Sequence, residues 1–305
     1  MRNAFFKELE EVYAQRNNIF LLTGDLGFKL FDRFKSIDPQ RFYDIGVAEA
    51  NMAGIAAGLA LTGNIVYCYS IISFLTMRAF EQIRMDIAYQ NLNVRLVGFG
   101  AGFTYGLEGY SHYGLEDLTL MRSLPNMTIV IPADINEAKS LAKVSSEYKG
   151  PMYIRLEKAD EGEIRENEPE FKIGQARLVR EGKDVALMAI GKMVKTGNEI
   201  VDKLSLQGIK ATLYNMHTLK PLDAETIQSV ALNHEFIFSL EEHFIHGGLG
   251  SAIAEILMEN GYKGRFKRFG IPEKLKNIIG RADYLRDGYG LTPEKIYNKI
   301  MEEIS

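Results

Sequence analysis

Glu49 stands at the head of a run, residues 48–61, that is otherwise almost wholly small or apolar. A carboxylate at the first turn of a buried helix can do one of two things. It can satisfy free backbone N–H groups and the positive end of the helix dipole, or it can serve as a charged catalytic group. Spacing alone leaves both open. His112 and Glu116, four apart, would share one face of a helix and could hold a metal ion there. His243 and His246, beside Glu241 and Glu242, pose the same question. No third ligand is placed by spacing in the first case and polar loop residues account for the second, so no metal centre is expected. Gly98, Gly100 and Gly102 form a glycine-rich turn without the last glycine of the dinucleotide fingerprint, and no helix signal follows directly. It reads as a plain loop after a strand. Cys68 is the one cysteine, which excludes an internal disulfide and a cysteine-rich zinc site and fits a reducing compartment.

These side chains are carried by short apolar runs alternating with longer amphipathic segments, the pattern of a parallel sheet covered by helices. Strands are expected at 19–23, 42–44, 65–69, 94–98, 128–131 and 152–155, with helices at 48–61, 77–89, 115–122 and 135–148. The stretch 158–172 is charged, poor in apolar residues and without a period, and reads as an exposed linker. The alternation then resumes. Strands are expected at 185–190, 211–215, 236–240 and 265–269, and helices at 195–206, 224–232, 250–260 and 293–303. The fold class is therefore α/β, in two domains that are each a mostly parallel sheet covered by helices. The division is residues 1–160, a linker at 161–172, and residues 173–305. A chain of 305 residues is longer than one hydrophobic core usually supports, in agreement with two domains. Gly54 and Gly58 lie four apart in the 48–61 helix, where each costs about 1 kcal/mol relative to alanine. Close approach of another backbone would offset that cost, so this helix should be buried against a partner.

Lys and Arg number 36 against 40 Asp and Glu, a net charge of −4, so there is no basic excess to neutralise a nucleic acid. The first residues carry acidic groups where a secretory peptide would be apolar. The longest uncharged stretch, 65–77, is shorter than the roughly 20 residues of a membrane span. Neither a nucleic acid nor a membrane is an expected partner, and the expected location is the cytoplasm.

The segment DIGVAEANMAGIAAGLAL, residues 44–61, resembles the glutamate-bearing segment of transketolase-like thiamine-diphosphate enzymes. Residues 73–84, SFLTMRAFEQIR, resemble the same family's pyrimidine-stacking region. Residues 106–117, GLEGYSHYGLED, and 121–126, MRSLPN, are similar to its histidine loop and the tail after it. Residues 220–223, KPLD, and 241–250, EEHFIHGGLG, resemble its C-terminal domain. The matches run in order along nearly the whole chain. Absent is the glycine–aspartate–glycine motif that ligates magnesium and holds the diphosphate, since Gly24, Asp25 and Gly27 lack the downstream asparagine spacing. The chain thus resembles the second half of a split transketolase, a pyrimidine-binding domain plus a C-terminal domain.

That resemblance implies a two-carbon ketol transferase acting on sugars, with thiamine diphosphate as cofactor. Magnesium or calcium would be held mainly by a separate N-terminal-type subunit carrying the diphosphate-binding domain, in an α2β2 assembly. It implies Glu49 as the glutamate that bonds the aminopyrimidine, with Phe74 stacked on that ring and Met77 beside it. It implies His112 as a catalytic and substrate-binding histidine, with Glu108 and Lys158 as substrate contacts. Several positions depart from the family. Glu108 replaces an aspartate, Tyr110 and Tyr113 replace proline and glutamine, Gly100 replaces a substrate-binding histidine, and Lys158 replaces an arginine. Lysine keeps the charge but loses the bidentate fork, so an acceptor other than the usual pentose phosphates is expected. Two other readings share the architecture: the β subunit of a 2-oxo acid dehydrogenase, and a non-catalytic scaffold subunit.

Overall fold

The computed structural model describes residues 1–157 and 171–305. The first unit opens with α1 (Arg2–Gln15), β1 (Ile19–Thr23), α2 (Asp32–Ile37), β2 (Phe42–Asp44), α3 (Glu49–Leu61) and β3 (Ile65–Ile71). Two π-helical segments, Phe74–Arg78 and Ile83–Ala88, then flank α4 (Phe80–Gln82). After them come β4 (Val94–Phe99), α5 (Asp117–Arg122), β5 (Thr128–Val130), α6 (Ile135–Glu147) and β6 (Met152–Leu156). The second unit comprises β7 (Arg177–Arg180), β8 (Val185–Ala189), α7 (Met193–Ser205), β9 (Ala211–Asn215), β10 (Thr218–Lys220), α8 (Ala224–Asn233), β11 (Phe236–Phe244), α9 (Leu249–Glu259), β12 (Arg265–Ile271), α10 (Ala282–Tyr289) and α11 (Pro293–Ile304).

Two mostly parallel sheets result, each flanked by helices. The first runs β10-β5-β6-β4-β3-β1-β2 and the second β12-β11-β8-β9-β7. Strands β3, β4, β6 and β8 are buried along their whole length, as parallel strands covered on both faces must be. Helix α6 begins as its sequence requires: the Asp134 carboxylate accepts from the Glu137 N–H, and Glu137 reaches back to the Ala133 N–H. β10 is the unexpected member. It belongs to the second unit by sequence but pairs antiparallel with β5 of the first, so one sheet crosses the seam.

The seam is polar at its centre. Arg155, at 1% exposure, donates from Nε to Asp117 Oδ2 (2.8 Å), from Nη1 to Glu157 Oε1 (3.2 Å) and from Nη2 to the Gly114 and Glu242 carbonyls (2.8 and 3.1 Å). Glu242, on β11, accepts from the Phe103 N–H at 2.7 Å and pairs with Arg286. Glu241, its neighbour, accepts from the N–H groups of Leu249 and Gly250 at the start of α9 (2.7 and 2.9 Å).

A Cβ on Gly54 or Gly58 would meet nothing within 4 Å, so the chain itself leaves that face of α3 uncovered. Ala57 turns inward with Ala53, Ala56 and Ala60, so it is not part of that open face. Phe171, at the end of the stretch read as an exposed linker, is buried, with its ring centre 4.2 Å from that of His217. The helix expected at 77–89 begins at Phe74 and is largely π-helical, a form that is rare and concentrated at functional sites.

Burial pushes the Glu241 carboxyl up from 4.5 to about 7, against the two backbone N–H groups that favour its charged form. The folded chain therefore holds a proton there that the unfolded chain has released. This contribution to stability is complete below pH 4.5 and is lost as pH rises through 7. Glu241→Gln, which stays neutral, should gain on the parent by about 3 kcal/mol between pH 5 and 8. Urea unfolding of both proteins across that range measures the difference.

Candidate active site

In the first sheet the chain passes from β1 outward to β2, then crosses back over β1 to β3. The strand order reverses there, and open α/β sheets bind ligands in the crevice at the carboxyl ends of the two strands flanking such a point. Gly24 follows β1, Glu49 opens α3 on the way back to β3, and Ser70 lies near the end of β3. All three meet in the crevice. Glu49 is 2% exposed, and its Oε1 accepts from the Ser70 hydroxyl at 3.0 Å. A Cβ on Gly24 would lie 3.7 Å from that same Oε1, so glycine keeps the approach to the carboxylate open.

β3 leads directly into the π-helical turn that carries Phe74 and Arg78. Arg78 Nη1 donates to Glu49 Oε2 at 3.2 Å, and its guanidinium carbon lies 3.9 Å from the centre of the Phe74 ring. The His112 ring meets Phe74 edge-on at 5.0 Å and Tyr105 at 6.0 Å. His112 sits on a loop held to the same turn, where the Ser73 hydroxyl donates to the Ser111 carbonyl at 3.0 Å. The loop is also pressed against the second unit. A Cβ on Gly106 would fall 2.3 Å from the Gly280 carbonyl, and one on Gly102 would fall 2.2 Å from Glu242 Oε1.

The fold thus brings Glu49, Phe74 and His112 together. Met77 lies on the same turn as Phe74 and is 40% exposed. Glu108 is exposed on the His112 loop, and Lys158 lies outside the described residues. Gly100 is accounted for locally: at φ +104° a Cβ there would meet the Tyr105 ring at 2.4 Å, so Tyr105 fills the space that a side chain at 100 would take. Sequence reasoning missed Ser70, Arg78 and Tyr105. Arg78, four residues beyond Phe74 in a helical stretch, had a spacing that could have revealed it.

In the fold, members of the two histidine–carboxylate pairs have protein partners. Glu116 is engaged by the Tyr110 hydroxyl. His243 is wholly buried, which pushes its pKa down to about 4, and its Nδ1 lies 2.8 Å from the Phe244 carbonyl. Among the described residues no group of three or more His, Cys, Asp or Glu side chains could hold a metal ion. Nor is any described helix long and apolar enough to cross a membrane.

Two mostly parallel sheets flanked by helices are the architecture of the transketolase pyrimidine-binding and C-terminal domains. Residues 1–161 match the family described as transketolase, pyrimidine binding domain, and residues 174–296 match transketolase, C-terminal domain; the chain belongs to the transketolase family. It is 39% identical, over all of its length and 96% of the relative's, to a Methanocaldococcus jannaschii protein named by inference as a transketolase C-terminal section. It is 38% identical to a 6-deoxy-6-sulfo-D-fructose transketolase subunit of Clostridium sp. strain MSTE9, over 95% of this chain and 90% of that one. A solved structure described as a split gene transketolase, inactive beta4 tetramer, superposes with a TM-score of 0.91 at 34% identity, covering 99% of this chain and 97% of that one.

Among the described residues, Ser70 is the one neutral side-chain donor to the buried Glu49 carboxylate. Ser70→Ala should lower stability by about 1.5–3 kcal/mol, the range for a hydrogen bond to a charged group. The shift in urea midpoint of the isolated chain measures it.

Proposed function

We propose that the chain is the pyrimidine-binding subunit of a two-chain transketolase that transfers a two-carbon ketol unit between sugars. The observation that carries this is the buried Glu49 carboxylate and the Phe74 ring, bridged by one guanidinium in the switch-point crevice. Thiamine diphosphate fits this donor set: a planar heteroaromatic ring can stack on Phe74 while one nitrogen bonds Glu49. The same two requirements are met at this point by a planar guanidinium. When bound, that cofactor supplies the carbanion chemistry of ketol transfer. Glu49 holds a proton at the ring nitrogen, Phe74 fixes the ring plane, and Met77 flanks the turn. His112, at the mouth, presents a ring nitrogen to sugar oxygens as donor or acid–base, with Glu108 and Lys158 as further sugar contacts. Tyr105 occupies the space beside Gly100, which supports an acceptor other than the usual pentose phosphates, such as a modified sugar.

The diphosphate and its magnesium or calcium ion would be held by a separate N-terminal-type chain, which the split relatives support. We assign residues 1–160 and 173–305 to the two domains, joined at 161–172. The open Gly54–Gly58 face of α3, with the exposed side chains of Leu61, Met85 and Tyr89, supports self-association at the centre of an α2β2 assembly. A beta4 tetramer in the split-gene relative supports the same tendency.

Two measurements test the reading. The purified chain with thiamine diphosphate and magnesium should show no ketol transfer and should gain it on addition of the diphosphate-binding chain; full turnover by the single chain would overturn the two-chain assignment. In the reconstituted complex, Glu49→Gln preserves size but removes the charge. Loss of a charge-assisted hydrogen bond, about 1.5–3 kcal/mol, should slow deuterium exchange at the reactive carbon of the bound cofactor about ten- to a hundredfold. Unchanged exchange would reduce Glu49 to a helix-end carboxylate.

A further inference from the structure

The two recognition elements of the proposed site are already occupied by one side chain. Glu49 has two oxygens: Ser70 holds Oε1 at 3.0 Å, and Arg78 holds Oε2 at 3.2 Å. The same Arg78 guanidinium lies over the Phe74 ring, 3.9 Å from its centre. No ring can stack on that face and bond Oε2 while Arg78 stays. We propose that Arg78 is a placeholder for the cofactor's pyrimidine: it pairs the carboxylate and covers the aromatic face, and it swings out when the ring arrives. This rests on the reading of Glu49 and Phe74 given above.

The physical pattern suits such an exchange. Glu49 is buried at 2% exposure, and a buried carboxylate without a partner is strongly destabilising. The Arg78 side chain is 48% exposed, so it can leave without repacking the core. Among the described residues its side chain pairs with Glu49 and lies over the Phe74 ring. A guanidinium is planar, weakly hydrated and able both to stack and to donate along its edge, which makes it a closer imitation of an aminopyrimidine than lysine would be.

The test uses the complex reconstituted with the diphosphate-binding chain, titrated calorimetrically with thiamine diphosphate in saturating magnesium. Arg78→Met removes the competitor and should tighten binding about three- to tenfold, the scale of a half-exposed ion pair plus a cation–π contact. Equal or weaker binding by Arg78→Met would overturn the placeholder. Adding Phe74→Ala on the Arg78→Met background isolates the ring contact and should weaken binding. If it does not, the pyrimidine site itself is misassigned; if it does while Arg78→Met fails to tighten, the placeholder alone falls. A second readout needs no variant in the complex. With 15N-labelled arginine, the Arg78 resonance, assigned by its absence from Arg78→Met, should be shifted by the Phe74 ring without cofactor and return to a solvent-like position at saturation. A resonance that stays in place overturns the proposal.

Discussion

A guanidinium without access to water must be met on every side by acceptors, and Arg155 is such a group. Its acceptors come from the start of α5, from the loop before it, from Glu157 and from β11 of the second unit. The geometry of the His112 loop depends on this arrangement. Gly114, at the end of that loop, is held by Arg155, and Phe103, near its beginning, is held by Glu242. The loop is therefore clamped at both ends by groups at the seam between the units. Buried ion clusters of this kind add little net stability compared with apolar packing, but removing one member leaves a charge stranded. Their contribution here is to select one relative placement of the two units, and with it one placement of His112 against Phe74.

The two sheets use the same topological device to different ends. In the first, the reversal between β1 and β3 leaves a crevice in which Glu49 and Phe74 are covered by the half-exposed Arg78 side chain. In the second, the order reverses between β8 and β11, and the first unit's Glu157 enters there. Its Oε2 accepts from the Lys192 N–H at 3.0 Å, and a Cβ on Gly191 would lie 2.6 Å from its Oε1. The place where such a sheet would receive a ligand is taken by the neighbouring unit. This is why the residues of 241–250, which read as donors in the sequence, act in the fold as caps and ties.

What could be read in the sequence follows from which signals are local. β3, β4 and β6 are covered on both faces, so each reads as a mostly apolar run, interrupted only by Ser70, Arg95 and Arg155 respectively. Glu49 stood out because its charge interrupts a helix of small residues. His243 and Glu241 showed their donor atoms but not their burial, so a metal site had to be weighed against polar loops. β10 is three residues long and its partner strand lies some ninety residues earlier, leaving no periodicity to detect. The tie between Arg78 and Glu49 spans 29 positions and depends on the crossover, which no window along the chain contains. The sequence reading places no helix at α1, although Phe5, Phe6, Leu9 and Tyr13 follow a helical spacing and are buried.

The β5–β10 ladder carries one more implication, for how the molecule comes apart. Thr218 and Lys220 lie opposite Val130 and Ile129, so a strand of the second unit closes what would otherwise be an open edge of the first sheet. Detaching either unit alone would expose the backbone of β5 as a template for foreign strands and strand the charges around Arg155. Opening one half therefore undoes the other, and the amide protons of Ile129 and Val130 belong to the same cooperative block as the core of the second sheet.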